Sequence, residues 1–266
     1  IYSISLNAEQ RKAVIAALSN PITIITGGPG TGKTLIQKMI LELYRRKNPY
    51  GKIVCCAPTG RAARRMEEST GSPASTIHKA LGLLAEDDGD YSEPQLLNAD
   101  LVLVDEVSMM DIYLAGHLLQ AVPNGSRLIL IGDADQLPSV GPGAVLSELI
   151  ACGEIPVVRL TRIYRQSSGS RIAVNAKLIR SGNLSLEYGD DFQFFESSDL
   201  TASANLLEKL YLQEIGCFGV DNVALLTPFR QKTETGVNAL NERLREIVNS
   251  PAAFKPEASF GKHRFR

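Results

Sequence analysis

This 266-residue sequence has little that points to a metal centre or a membrane. Its four cysteines, Cys55, Cys56, Cys152 and Cys217, form no C-x-x-C pair, so the usual spacing of a structural zinc site is missing. No apolar run approaches the roughly 20 residues of a membrane-spanning helix, and no signal peptide is visible. The formal net charge of −1 lacks the overall basic excess that marks many nucleic-acid-binding domains. There is no internal repeat and no low-complexity segment. At 44% hydrophobic and 21% charged, the composition is that of a soluble globular protein with one large domain or two smaller ones.

Charge is unevenly spread. Arg45, Arg46, Lys47, Lys52, Arg61, Arg64 and Arg65 form a stretch with no acidic residue inside it, whereas residues 86–111 hold nine acids and no Lys or Arg. The basic stretch is either a set of solvated helix faces or one local basic surface on a neutral protein.

The most specific pattern is Gly27-Gly28-Pro29-Gly30-Thr31-Gly32-Lys33-Thr34. It follows an apolar run at 22–25 and opens a helical pattern, the context a phosphate-binding P-loop requires. Gly28, Pro29, Gly30, Thr31 and Gly32 give a loop whose backbone N–H groups can turn inward around phosphate oxygens. The following helix adds its positive end. Lys33 can reach the β- and γ-phosphates, and Thr34 can place its hydroxyl on Mg²⁺. An Asn-Lys-x-Asp guanine reader, which a GTP switch would carry, is absent.

Three further strand ends carry polar groups. The apolar run 101–104 ends in Asp105 and Glu106. Such a strand can hold Asp105 on Mg²⁺ and let Glu106 polarise an attacking water, although two acids can also simply begin a helix. The run 128–132 leads to Asp133-Ala134-Asp135-Gln136-Leu137-Pro138, where Gln136 can sense a γ-phosphate or belong to an Asp-rich turn. Arg162-Ile163-Tyr164-Arg165-Gln166 opens a second pattern; Arg165, rather than Arg162, is the candidate to reach a γ-phosphate, or the two are surface arginines. Asn7-Ala8-Glu9-Gln10 fits a helix capping box and fits equally an adenine-reading Gln10.

Periodicity predicts helices over 6–18, 33–46, 60–69, 109–121 and 144–151, with strands at 22–26, 53–57, 101–104, 128–132 and 156–160. Apolar strands alternating with helices predict an α/β fold with a parallel sheet covered on both faces. A second α/β pattern begins near 161: helices over 172–179, 200–215 and 235–248, with strands at 192–195 and 223–227. The predicted domains are therefore 1–160 and 161–266, the second incomplete. Residues 86–93 are predicted to form an exposed loop.

Taken in order, Leu6–Gln10, the P-loop, Ala57–Ala63, Thr76-Ile77-His78, Asp105-Glu106, Gly132–Pro138 and Tyr164-Arg165-Gln166 resemble the motifs of superfamily 1 helicases. The likeness is to RecD-like helicases, the family of the exodeoxyribonuclease V alpha subunit. Leu226–Arg230 and Gly236–Asn241 resemble that family's second motor domain. The resemblance implies RecA-like motor domains, ATP and Mg²⁺ as cofactors, 5′→3′ movement on single-stranded DNA, and a role in DNA repair and recombination. It implies that Gln10 reads adenine, Gly30, Gly32, Lys33 and Thr34 hold phosphates and Mg²⁺, and Asp105 and Glu106 are the magnesium and water residues. Gln136 would couple, Arg165 would contact the γ-phosphate, and Thr59, Arg61, Thr76 and His78 would touch the DNA strand. Partners would be single-stranded DNA and other subunits of an exonuclease complex, with no membrane involved. Free thiols and a nucleotide site point to the cytoplasm. A nucleotide switch or a non-motor subunit of a nuclease complex is the alternative.

The family's last two motor motifs, which include a second γ-phosphate arginine, find no match before Arg266. The 266-residue piece by itself is expected to bind nucleotide, hydrolyse it poorly and leave duplex DNA intact; a fluorescent strand-separation assay that shows robust ATP-dependent unwinding would refute this.

Overall fold

Helix α1 (Ala8–Ser19) starts where Asn7 caps it: the Asn7 side chain accepts from the Gln10 N–H and Gln10 reaches back to the Asn7 N–H. From there the chain runs through β1 (Ile22–Gly27), α2 (Lys33–Lys47), β2 (Ile53–Ala57), α3 (Gly60–Thr70), β3 (Ala74–Thr76) and α4 (Ile77–Ala80). It continues through β4 (Leu101–Val104), a 3₁₀ turn at Val107–Met109, α5 (Ile112–Ala121), β5 (Arg127–Gly132), α6 (Val145–Ala151), β6 (Val157–Leu160) and α7 (Arg171–Arg180). The remainder holds α8 (Leu200–Phe218), a 3₁₀ turn at Val220–Asn222, α9 (Val237–Val248), β7 (Ala258–Phe260) and β8 (His263–Phe265). The computed structural model describes residues 5–83, 93–162, 164, 170–231, 233–252, 254–260 and 263–265.

Six strands form one sheet in the order β3-β2-β4-β5-β1-β6, and every pairing in it is parallel. The strands read as unbroken apolar runs because both faces are covered. On one face Ile24, Val102, Val104, Leu128 and Leu130 meet Leu114 and Leu118 of α5 and Leu146 of α6. On the other, Ile25, Leu101, Leu103, Ile129 and Ile131 meet α1 through Ala13 and Ala17, α2 through Ile36 and Ile40, and α3 through Met66. Cys55 and Cys56 belong to these two layers; burial pushes both thiols up to about 12, so they serve as core residues.

Parallel strands place all their carboxyl ends on one edge, and that edge receives the P-loop, the β4 carboxylates and the β5 turn. The same geometry splits the basic stretch. Helix α2 starts at that edge and ends at the opposite one, so Arg45, Arg46, Lys47 and Lys52 lie across the sheet from Arg61. Arg45 donates to Ser72, Arg46 pairs with Glu42, and Lys52 donates to Asn98.

The chain divides into two compact units, Ile1–Glu187 and Tyr188–Arg266, later than the boundary expected after residue 160. Physical ties hold the intervening segment to the first unit: Thr161 to Glu9, Tyr164 to Gly30, and an Arg180–Asp135 ion pair at 2.6 Å. In the second unit, α8 and α9 pack through Ala204, Leu240 and Leu244, with Arg243 bound to Glu208 and Asn205. Strands β7 and β8 form an antiparallel hairpin. Residues 192–195 and 223–227, predicted as strands, belong to no strand ladder. An apolar run becomes a strand only beside a neighbour that takes its N–H and C=O groups; among the described residues Phe192 finds only Gly189, in an isolated antiparallel bridge. The short β3 and α4 were not predicted, since three and four residues are too few for a periodic signal. Residues 86–92 of the predicted acidic loop lie outside the described residues.

Leu103 is fully buried whereas Ile112 is 53% exposed. Leu103→Ala is expected to lower stability by about 2–5 kcal/mol and Ile112→Ala by about 0.5 kcal/mol or less, read by urea denaturation of the full-length protein.

Candidate active site

The P-loop is shaped from behind. Gly30 (φ 77°) and Gly32 (φ 91°) adopt left-handed backbone that side chains strain to reach. At Gly32 a Cβ would also lie 2.5 Å from Gln10 Nε2. The loop carbonyls are bound one after another. Gly27 and Gly28 accept from Lys33 Nζ at 2.6 and 3.2 Å. Gly28 also accepts from Thr31 Oγ1, Gly30 from the Tyr164 N–H at 2.8 Å, Thr31 from Gln10 Nε2 at 3.1 Å, and Gly32 from the Ile36 N–H. With the carbonyls of Gly27, Gly28, Gly30, Thr31 and Gly32 engaged elsewhere, the loop keeps N–H donors for an anion. Thr34 stands in the first turn of α2 with its side chain exposed.

Gln10, 3% exposed, performs the capping role and a second one, because its Nε2 reaches the P-loop. One amide hydrogen and one carbonyl lone pair are left for a further partner.

Asp105 and Glu106 end β4 two strands away from β1 in the sheet. The Asp105 N–H is fixed to Cys56 O at 3.0 Å. Glu106 takes φ 53°, the sole non-glycine residue with positive φ among the described residues. Such backbone is strained by about 1–3 kcal/mol and persists where packing imposes it. Asp105 Oδ1 and Glu106 Oε2 are buried without a hydrogen-bond partner. Burial, followed by the neighbouring Asp105 charge, raises the Glu106 carboxyl above its ordinary range; Lys33 and Arg65 act against that rise. The interaction with Lys33 puts the P-loop and the β4 carboxylates in one electrostatic site. Among the described residues no group of three or more His, Cys, Asp or Glu is placed to hold a metal. Two orphaned oxygens and the Thr34 hydroxyl instead suit a hard cation that keeps water and phosphate ligands.

Gln136 is exposed, with Oε1 3.5 Å from Ser108 Oγ, just past Glu106. The turn before it is stiff: Asp133 accepts from the Asp135 N–H, and Thr26 Oγ1 at the end of β1 accepts from the Ala134 N–H. A cavity of about 130 Å³ lies beneath, lined by Ser108, Asp133, Gln136 and Leu146 among others. Arg165 lies outside the described residues.

The expected DNA residues sit beside the carboxylates. Thr59 caps α3 by accepting from the Ala62 N–H, and Thr76 caps α4 by accepting from the Lys79 N–H. Strands β2 and β3 pair Ala57 with Thr76, so the two caps are neighbours on the sheet edge. Arg61 is exposed in the first turn of α3, and His78 is half-buried in α4. Sequence reasoning missed the strained Glu106 backbone, the Asp135–Arg180 pair and the Glu9–Thr161 contact; none leaves a local sequence signal.

Residues 10–142 match the AAA domain family. The ATP-dependent RecD2 DNA helicase of Deinococcus radiodurans is 36% identical over 245 residues, covering 92% of this chain and 33% of that protein. The RecBCD enzyme subunit RecD of Mycobacterium tuberculosis is 33% identical over 251 residues, covering 82% and 44%. The chain thus spans less than half the length of these curated relatives. The solved Pif1 helicase from Candida albicans aligns with a TM-score of 0.51 at 21% identity, covering 80% of this chain and 55% of that one, which shows the fold.

The raised Glu106 carboxyl makes a signed statement about stability. The folded state holds that proton more tightly than the unfolded state, so ionisation destabilises the fold as pH rises. Glu106→Gln is expected to melt higher than the parent at pH 8, with the difference closing below the ordinary carboxylate range; a difference that widens on acidification would contradict this.

Proposed function

Because the chain belongs to the AAA domain family, with RecD-like helicases among its relatives, we propose that it is the ATP-hydrolysing part of a RecD-type DNA helicase. The observation that carries this is the shared edge: a P-loop with its carbonyls turned away and two orphaned carboxylate oxygens close enough for Lys33 and Glu106 to interact.

In this reading the Gly28–Thr31 backbone and Lys33 bind the ATP phosphates, and Gln10 uses its spare donor and acceptor on adenine. Thr34 and Asp105 hold Mg²⁺, which supplies charge neutralisation on the phosphates when bound. Glu106, its carboxyl raised above the ordinary range by burial, orients water and takes its proton. Gln136 moves between Ser108 and the γ-phosphate and passes that movement to the turn at 133–138. Arg165 contributes γ-phosphate contact, an arrangement worth roughly 10³–10⁵ in rate where measured. Thr59, Arg61, Thr76 and His78 contact a single DNA strand; the two caps leave hydroxyl hydrogens for phosphate oxygens. Domains 1–160 and 161–266 would be a first motor domain and part of a second. Travel 5′→3′, action in DNA repair and recombination in the cytoplasm, and membership of an exonuclease complex follow from the RecD likeness. No helix among the described residues is long and apolar enough to cross a membrane.

The test uses the full-length protein. Single-stranded DNA at low salt is expected to stimulate ATPase, Lys33→Ala to remove both binding and hydrolysis, and Glu106→Gln to keep ATP binding while hydrolysis falls by about 10²-fold or more. Absence of DNA stimulation in the parent, or full ATPase in Lys33→Ala, would defeat the proposal.

A further inference from the structure

The segment leaving β6 is fastened to the two elements that build the nucleotide site. Thr161 gives both its donors to one carboxylate: its N–H to Glu9 Oε2 at 2.8 Å and its hydroxyl to Glu9 Oε1 at 2.6 Å. These bonds hold the Glu9 carboxyl below its ordinary range, so it is ionised and the contact is charge-assisted. Three residues on, the Tyr164 hydroxyl accepts from Asn7 Nδ2 at 2.7 Å, and the Tyr164 N–H donates to Gly30 O at 2.8 Å. Just before Thr161, Leu160 lies against the foot of the P-loop: a Cβ on Gly27 would sit 2.9 Å from Leu160 O. Leu160, Thr161 and Tyr164 therefore act as a strap, tied to α1 and its cap through Thr161 and Tyr164 and to the loop through Leu160 and Tyr164.

The strap has a consequence for the loop. Gly30 has φ 77° and no side chain, so little within the residue fixes the orientation of the peptide that follows it. That peptide is planar and trans, with its C=O and N–H pointing in opposite directions. The Tyr164 N–H on the Gly30 carbonyl therefore aims the Thr31 N–H away from the strap. Rotation of this peptide would exchange a donor for a carbonyl, which repels phosphate.

We propose that Glu9 is a positioning residue for the nucleotide loop: by gripping Thr161 it holds Tyr164 against Gly30 and keeps the Thr31 N–H presented to a phosphate. The inference rests on the ATP-binding role proposed above. Glu9 also lies in the first turn of α1, where an acid favours the helix in any protein. That simpler role would change helix stability and leave nucleotide affinity to follow it.

The two roles separate in the full-length protein, with the affinity of a fluorescent ATP analogue and the melting temperature without nucleotide measured together. Glu9→Gln is expected to weaken binding about tenfold, the scale of one charge-assisted hydrogen bond, with the melting temperature within about 2 °C of the parent. Thr161→Val keeps the backbone donor and is expected to lose about threefold, and Thr161→Ser to bind like the parent. The Glu9→Gln/Thr161→Val double variant is expected to match Glu9→Gln alone, because both changes break one contact. Parent-like affinity in Glu9→Gln and Thr161→Val, additive losses in the double variant, or losses that track the melting temperature would each overturn the inference. Lys33→Ala is the control: if it binds the analogue like the parent, the nucleotide site itself is wrongly placed, a failure distinct from that of Glu9.

Discussion

Everything this fold offers a nucleotide depends on where the carbonyls of residues 27–32 point. A polyanion is repelled by C=O dipoles and attracted by N–H dipoles, and a flexible glycine loop presents either. Here Lys33, Thr31, Tyr164, Gln10 and Ile36 bind the carbonyls of Gly27, Gly28, Gly30, Thr31 and Gly32. Apart from the loop's own Thr31, the donors come from α1, from the chain after β6 and from α2, so three separate segments help set the loop's polarity. Glycine makes the shape accessible, and the surrounding contacts select it.

The second constraint is the buried strand beneath the carboxylates. Leu101 to Val104 are all 0% exposed, with β2 on one side and β5 on the other. A strand held this tightly can impose left-handed backbone on Glu106 and keep two acids together against their mutual repulsion. The raised Glu106 carboxyl and the orphaned oxygens express the same arrangement: negative charge concentrated where a cation and phosphates can relieve it. Parallel pairing then gathers the β2, β3 and β5 ends beside it, bringing Thr59, Thr76 and Gln136 to the same edge.

Much of this was legible in the chain. The β2 and β4 runs were read to the residue, and β1, β5, β6 and the helices of the first unit other than the short α4 were read closely. Their apolar runs are continuous and bounded by Gly, Pro or Asp. Gly27–Thr34 and Asp105-Glu106 were legible because phosphate and cation chemistry demands particular residue types at fixed spacing. The basic stretch was less legible: β2 runs between Lys52 and Arg61, so these two ends of the stretch emerge at opposite sheet edges. Residues 192–195 and 223–227 misled for a related reason, since strand formation depends on neighbours that no local pattern encodes.

The sequence by itself determined which runs must be buried and which polar residue types stand at the strand ends, because both follow from side-chain type and periodicity. Tertiary structure alone decided that Gln10 serves cap and loop together, that Glu106 is strained, and that Glu9 reaches Thr161 from the far end of the first unit's sequence. The physical reason is that these are contacts between distant segments, and a hydrogen bond exists only after the sheet has folded its donor and acceptor into reach.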